Sequence, residues 1–147
     1  MKKVATRNSW KNQPITNPKR IEINLKFNEN QLKTIKKGLI PKQMENKWFI
    51  FFEGDTLYFH RSWTGHGIFK AKFTKENNDY VIKEFFAERN KDYYNNEDDN
   101  HDRNQLAFLI YWGLLKIDIR EWYFKLNESD ESNALKMWAD FGNMIFK

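Results

Sequence analysis

The sequence predicts an α+β fold, an antiparallel β-meander of about four to six strands covered by helices. Three observations predict it. Residues 20–27, RIEINLKF, alternate apolar and polar side chains with a period of two, the mark of a half-buried strand. Between residues 47 and 88, four aromatic-rich segments follow one another across short turns. Apolar residues then recur at helical spacing around Leu106–Leu114 and again around Leu135–Ile145. The chain divides into a polar basic arm, residues 1–19, and a single α+β domain, residues 20–147.

The arm holds Pro14 and Pro18 and has no apolar period, so it is expected to pack poorly or to serve as an interface. After the first strand, Asn28 and Gln31 have capping-box spacing. Phe27 and Leu32 can staple the helix start. The helix should run through Lys37, with Gly38 as terminator and Pro41 blocking continuation. KWFIFFE and TLYFHRS flank Gly54-Asp55, a pair suited to a type II′ hairpin turn. GIFKAKF and DYVIKEFFAE supply two further strands, separated by a polar break at Asn77-Asn78. The acidic stretch at 97–102 should cap a helix beginning near Asp102, with Leu106, Leu109, Ile110 and Leu114 on one side. IDIREWYFKL reads as strand or extended chain. Ser129 is expected to cap a last helix carrying Leu135, Trp138, Phe141 and Ile145.

Of the 147 residues, 17% are aromatic and none is cysteine. The core must therefore be built from rings, without disulfides, thiolate metal sites or a cysteine nucleophile. No apolar segment follows Lys2 and Lys3, so neither a secretory leader nor a membrane span is expected, and the predicted location is the cytoplasm. The net charge of +5 is uneven. Residues 1–47 carry twelve Lys and Arg against three acids, and the remainder carries thirteen against seventeen. A basic first third attracts phosphates, so nucleic acid is a candidate partner there, with exposed rings stacking on single strands; a solvated lysine-rich surface explains the same charge.

LYFHRSWTGHGIF, residues 57–69, concentrates polar side chains in a strand-like context. In a regular strand, Leu57, Phe59, Arg61 and Trp63 share one face, while Tyr58, His60 and Ser62 share the other. The preceding strand presents Trp48, Ile50 and Phe52 on one face, and Phe49, Phe51 and Glu53 on the other. An aromatic wall beside Tyr, His and Ser suits a flat polar ligand. Gly65 and Gly67 bracket His66, where turn amides can form an anion nest. Arg61 can grip a phosphate with its fork, and Ser62 and Thr64 add hydroxyls. The candidate ligand-binding residues are therefore Trp48, Tyr58, His60, Arg61, Ser62, Trp63, Thr64 and Gly65. His60 and His66 are the candidate acid–base residues if the site does chemistry, with Glu53 or the acidic loop as the missing carboxylate. The structural alternative is a turn whose glycines relieve strain.

Glu97, Asp98, Asp99 and Asp102 could hold magnesium, form an acid–base pair, or simply cap a helix. The spacing of His60, His66 and His101 matches no metal motif, so neither metal nor cofactor is expected. P-loop, nucleophile-elbow and zincin motifs are absent.

From Pro41 to Phe73 the chain resembles an uncharacterised family of small bacterial and phage proteins. The shared pattern has a Met-Glu-x-Lys-Trp-Phe opening (Met44 to Phe49), a Leu-x-Phe-His-Arg-Ser-Trp-Thr-Gly core (Leu57 to Gly65) and a later Leu-x-Phe-Leu-Ile helix (Leu106 to Ile110). The resemblance spans roughly residues 20–115, and relatives are free-standing or appended to ADP-ribose-handling modules. The resemblance implies an ADP-ribose or related nucleotide ligand and no activity. With the residues above, the leading reading is a nucleotide-binding module, for an ADP-ribose-like or cyclic nucleotide signal, with a sequestering role in phage anti-defence or bacterial defence. A small hydrolase or transferase on the same ligand class, a single-stranded nucleic-acid binder and a protein-interaction domain are the rival readings. Oligomeric state has no signature in the sequence.

Overall fold

The computed structural model describes residues 4–42 and 47–119. Six antiparallel strands form one sheet: β1 (Pro18–Phe27), β2 (Trp48–Glu53), β3 (Thr56–Arg61), β4 (Gly67–Lys72), β5 (Thr74–Glu76) and β6 (Asp79–Glu88). The order across the sheet is β1-β6-β4-β3-β2, with β5 paired to β6. Helix α1 (Glu29–Ile35) follows β1, and α2 (Asp99–Phe108) continues directly into a π-helical stretch, Leu109–Leu114. The fold is α+β with a β-meander.

Local chemistry explains the elements. In α1, Asn28 accepts from the Gln31 amide, and the Gln31 side chain accepts from the Asn28 amide, each at 2.8 Å. This reciprocal cap satisfies two otherwise orphaned donors. Gly54, with φ of 68°, and Asp55 join β2 to β3 in a two-residue hairpin with Glu53 opposite Thr56. Helix α2 begins three residues earlier than expected. Asp98 is its cap, accepting from the amides of Asn100 and His101. Residues 117–119 are irregular. The rest of the strand expected over 117–126, and the helix expected after Ser129, lie outside the described residues.

The larger core cluster joins Ile21, Leu25, Phe27, Ile50, Leu57, Phe59, Ile82 and Phe85 of the sheet to Leu32, Ile35, Leu106 and Ile110 of the helical segments. A smaller cluster consists of Ala5, Phe49 and Phe51, with Trp10, Ile40 and Tyr58 packed against it. Phe49 and Phe51 are completely buried, and an arm residue, Ala5, lies beside them. The expectation that the arm packs poorly is therefore corrected. Ala5 donates to the Lys37 carbonyl (2.8 Å), the Gln13 amide donates to Gly65, and Gln13 accepts in turn from Gly67. Proline and polar residues conceal this docking from any periodicity test, because the arm binds through backbone groups and single rings rather than through an apolar stripe.

Candidate functional site

The face assignment read from the hairpin holds in space. Trp48 lies opposite Arg61, Ile50 opposite Phe59, and Phe52 opposite Leu57; on the reverse face Phe49 meets His60 and Phe51 meets Tyr58. The Arg61 guanidinium lies 4.5 Å from the Trp48 ring centroid and 5.9 Å from that of Tyr94. Trp48 in turn stacks on Phe69 at 5.9 Å. Two electron-rich faces thus hold the cation where burial pushes its pKa down. Glu53, a conceivable partner for Arg61, pairs instead with Arg7 at 2.8 Å. Arg61 has no ion pair or hydrogen bond from its guanidinium to any described residue. Trp63 is 64% exposed, and Thr64 is also at the surface.

The reverse face is occupied by the protein itself. His60 is buried and stacks on Phe51 at 5.5 Å. Its Nδ1–H donates to the Gly65 carbonyl (2.9 Å), since a carbonyl can only accept. Burial lowers the His60 pKa, disfavouring the charged ring. Ser62 is buried, and its carbonyl accepts from the Trp10 indole N–H at 2.7 Å. Tyr58 stacks on Phe51, with Arg7 above both rings.

The amides of Gly65, His66 and Gly67 are engaged within the protein and do not form an open anion nest. Ser62 N donates to Lys47 O, Gly65 N to Arg61 O, and Gly67 N to Gln13 O, while His66 N donates to Thr64 Oγ1. The glycines make room for the arm. Gly65 has φ of 76°, and a Cβ there would sit 2.9 Å from the Lys11 carbonyl oxygen. A Cβ on Gly67 would approach Gln13 and Ile15 at 3.1 Å.

His66 finds a carboxylate that the sequence reading missed. Its Nε2 lies 2.7 Å from Glu88 Oε2, and both side chains are buried. The ring stacks parallel to Tyr93, with centroids 3.7 Å apart. Glu88, at the end of β6, accepts from the backbone amides of Thr16, Asn17, Arg89 and Asn90. Burial alone would push its pKa up, but the bonds from Thr16, His66, Asn90 and Asn17 outweigh it and hold Glu88 at about 2. Chemically this is a fixed anion joining arm, sheet and turn. A single glutamate at the end of an alternating strand carries no sequence signal for that role.

A second polar cluster lies at the start of α2. Asp102 is fully buried; it accepts from the Tyr94 hydroxyl at 2.5 Å and Asn96 at 2.7 Å, and pairs with Arg89 at 2.6 Å. Burial raises the pKa of both Asp102 and Tyr94. The other acids of the loop are also engaged: Asp98 caps α2, Asp99 binds Lys19 and Arg89, and Glu97 binds Lys91. No three His, Asp or Glu side chains converge as a metal cluster among the described residues. His101 is exposed in the first turn of α2.

The basic first third is partly neutralised from within. Arg7 pairs with Glu53, Lys19 with Asp99, Arg20 with Glu84, and Lys26 with Asp79. No helix among the described residues is long and apolar enough to cross a membrane. No family model, curated protein or solved structure matches the chain.

Proposed function

We propose that the protein is a binding module for a phosphate-bearing aromatic small molecule, a nucleotide of ADP-ribose-like or cyclic type. It retains this ligand without chemistry, in the cytoplasm of a bacterium or of a phage-infected cell. The observation that supports this reading is Arg61. Its guanidinium rests on Trp48 and lacks an acidic partner among the described residues, whereas Arg7, Arg20 and Arg89 are all paired with acids. A guanidinium oriented on a ring is ready to take a phosphate through two parallel bonds. Exposed Trp63, two residues on, supplies a surface for the base. The ligand contact thereby narrows to Arg61, Trp63 and Thr64 on the open side, with Trp48 as the platform beneath. His60 and His66 are both buried, away from the exposed Trp63 and Thr64, which favours retention over acid–base catalysis at that surface.

Calorimetric titration with ADP-ribose and with cyclic AMP, alongside native mass spectrometry, tests this. Arg61→Ala should weaken binding about tenfold to a hundredfold, the loss of a charge-assisted contact of roughly 1.5–3 kcal/mol. Arg61→Lys should recover part of it, and Trp63→Ala should also weaken binding. The bound mass should leave the denatured complex unchanged. A wild type that takes up no nucleotide sinks the reading. So does Arg61→Ala with a lower melting temperature and unaltered affinity.

A further inference from the structure

A cleft of about 530 Å³ lies between the segment that ends α1 and the end of the π-helical stretch. One wall is Thr34, residues 37–40 and Lys42; the other is residues 113–116. Its volume falls in the range of small-molecule sites. The apolar lining is aliphatic, from Leu39, Ile40, Leu114 and Leu115, and no described residue lining it is aromatic or acidic. Three lysines line it, Lys37, Lys42 and Lys116. Neither the Lys37 nor the Lys116 ammonium has an ion pair or hydrogen bond to a described residue.

Both walls are fixed in place. Leu39 exchanges two backbone hydrogen bonds with Ile50 of β2, at 2.8 and 2.9 Å, and the Lys37 carbonyl accepts from Ala5. Across the cleft, Leu115 N donates to Ile110 O and Ile117 N to Tyr111 O, closing the π-helical end. Single π-turns are frequent at functional sites. Lys116, held between these bonds, has φ of 60°. That left-handed position after a helix is one that glycine occupies without strain. A lysine there carries a conformational cost that its own backbone role does not require.

We infer that this cleft binds an aliphatic acid, with the carboxylate between Lys37 and Lys116 and the hydrocarbon against Leu39, Ile40 and Leu114. The charge selects an anion, and the absence of a described aromatic lining gives a nucleobase nothing to stack on. The site is separate from the Arg61 surface, and the inference does not rest on the nucleotide reading.

Titration of the full chain with octanoate, octanol and inorganic phosphate, followed by amide NMR and a thermal melt, tests the inference. Octanoate should bind one per chain, about tenfold or more tighter than octanol, and phosphate should not saturate. The Gly38 and Gly113 amides should shift. Lys116→Gly should lose about tenfold in affinity while melting a few degrees higher, a combination that a merely structural lysine does not give. Gly113→Leu provides a second variant, because a Cβ at Gly113 meets nothing within 4 Å. It should fold and block octanoate. Equal binding of octanol and octanoate, or full affinity in Lys116→Gly, would overturn the inference.

Discussion

In the larger core, apolar side chains from strands and helical segments meet one another, and the contacts are interchangeable in kind. The smaller core has only three buried members, Ala5, Phe49 and Phe51, with His60 stacked on Phe51, and the arm that closes it is held at its other end by polar bonds to Glu88. Apolar burial is non-directional and scales with area. Buried polar groups must be matched atom by atom, because an unpaired one costs more than a paired one gains. The larger core therefore tolerates change of shape, whereas the smaller one depends on specific donors that residues 5–17 bring to it.

The sharpest way to break this comparison is to delete residues 1–17. That exposes Phe49 and Phe51 and strips donors from Glu88. The expected loss is about 4 kcal/mol, a drop of ~10 °C or more in melting temperature. A change of only a few degrees in the thermal melt would show that the second core is dispensable.

A smaller effect isolates the anchor. Glu88→Gln keeps the shape but removes the charge that four amides and His66 share, and should cost roughly 2–3 kcal/mol by chemical denaturation. The pH dependence follows from the sign of the shift. The folded pKa of Glu88, about 2, lies below its ordinary 4.5. Its contribution is present above pH 4.5 and is lost as pH falls toward 2. In Glu88→Gln that acid limb should flatten. An unaltered limb would assign acid unfolding to other carboxylates.

The smallest effect sharpens the comparison further. Gly65→Ala, at positive φ and against the Lys11 carbonyl, should cost about 1–2 kcal/mol. The cost should fall toward the strain term alone in a chain lacking residues 1–17. A double-mutant cycle from urea melts reads the coupling. No coupling would mean that the arm does not press on the turn.

The two regions were also unequally legible in the sequence. The strand 20–27, the Asn28–Gln31 cap, the Gly54-Asp55 hairpin and the two faces of β2 and β3 follow from period and turn chemistry, and all are present. The π-helical stretch was not legible, since its apolar spacing imitates an ordinary helix. Nor was β5, because Thr74–Glu76 is exposed and pairs only through its backbone. At the candidate site the polar density of residues 57–69 was visible, but its destination was not. Trp63 is exposed and Arg61 is half-buried between Trp48 and Tyr94, while His60, Ser62 and His66 turn toward an arm that no local pattern links to them. Distant partners such as Trp10 and Glu88 are identified only by topology. The lysine cleft was invisible for the same reason, its two walls lying about seventy residues apart in the chain.

The bond between Thr16 and Glu88 spans 72 positions. During synthesis the arm is made before every strand of the sheet, yet its anchor cannot form until β6 has been translated to its end. At ordinary elongation rates of 5–20 residues per second, that interval is about 4–14 s. Through it, the amides of Thr16 and Asn17 lack the carboxylate that later holds them. The arm must wait for a receptor that the ribosome has not yet delivered.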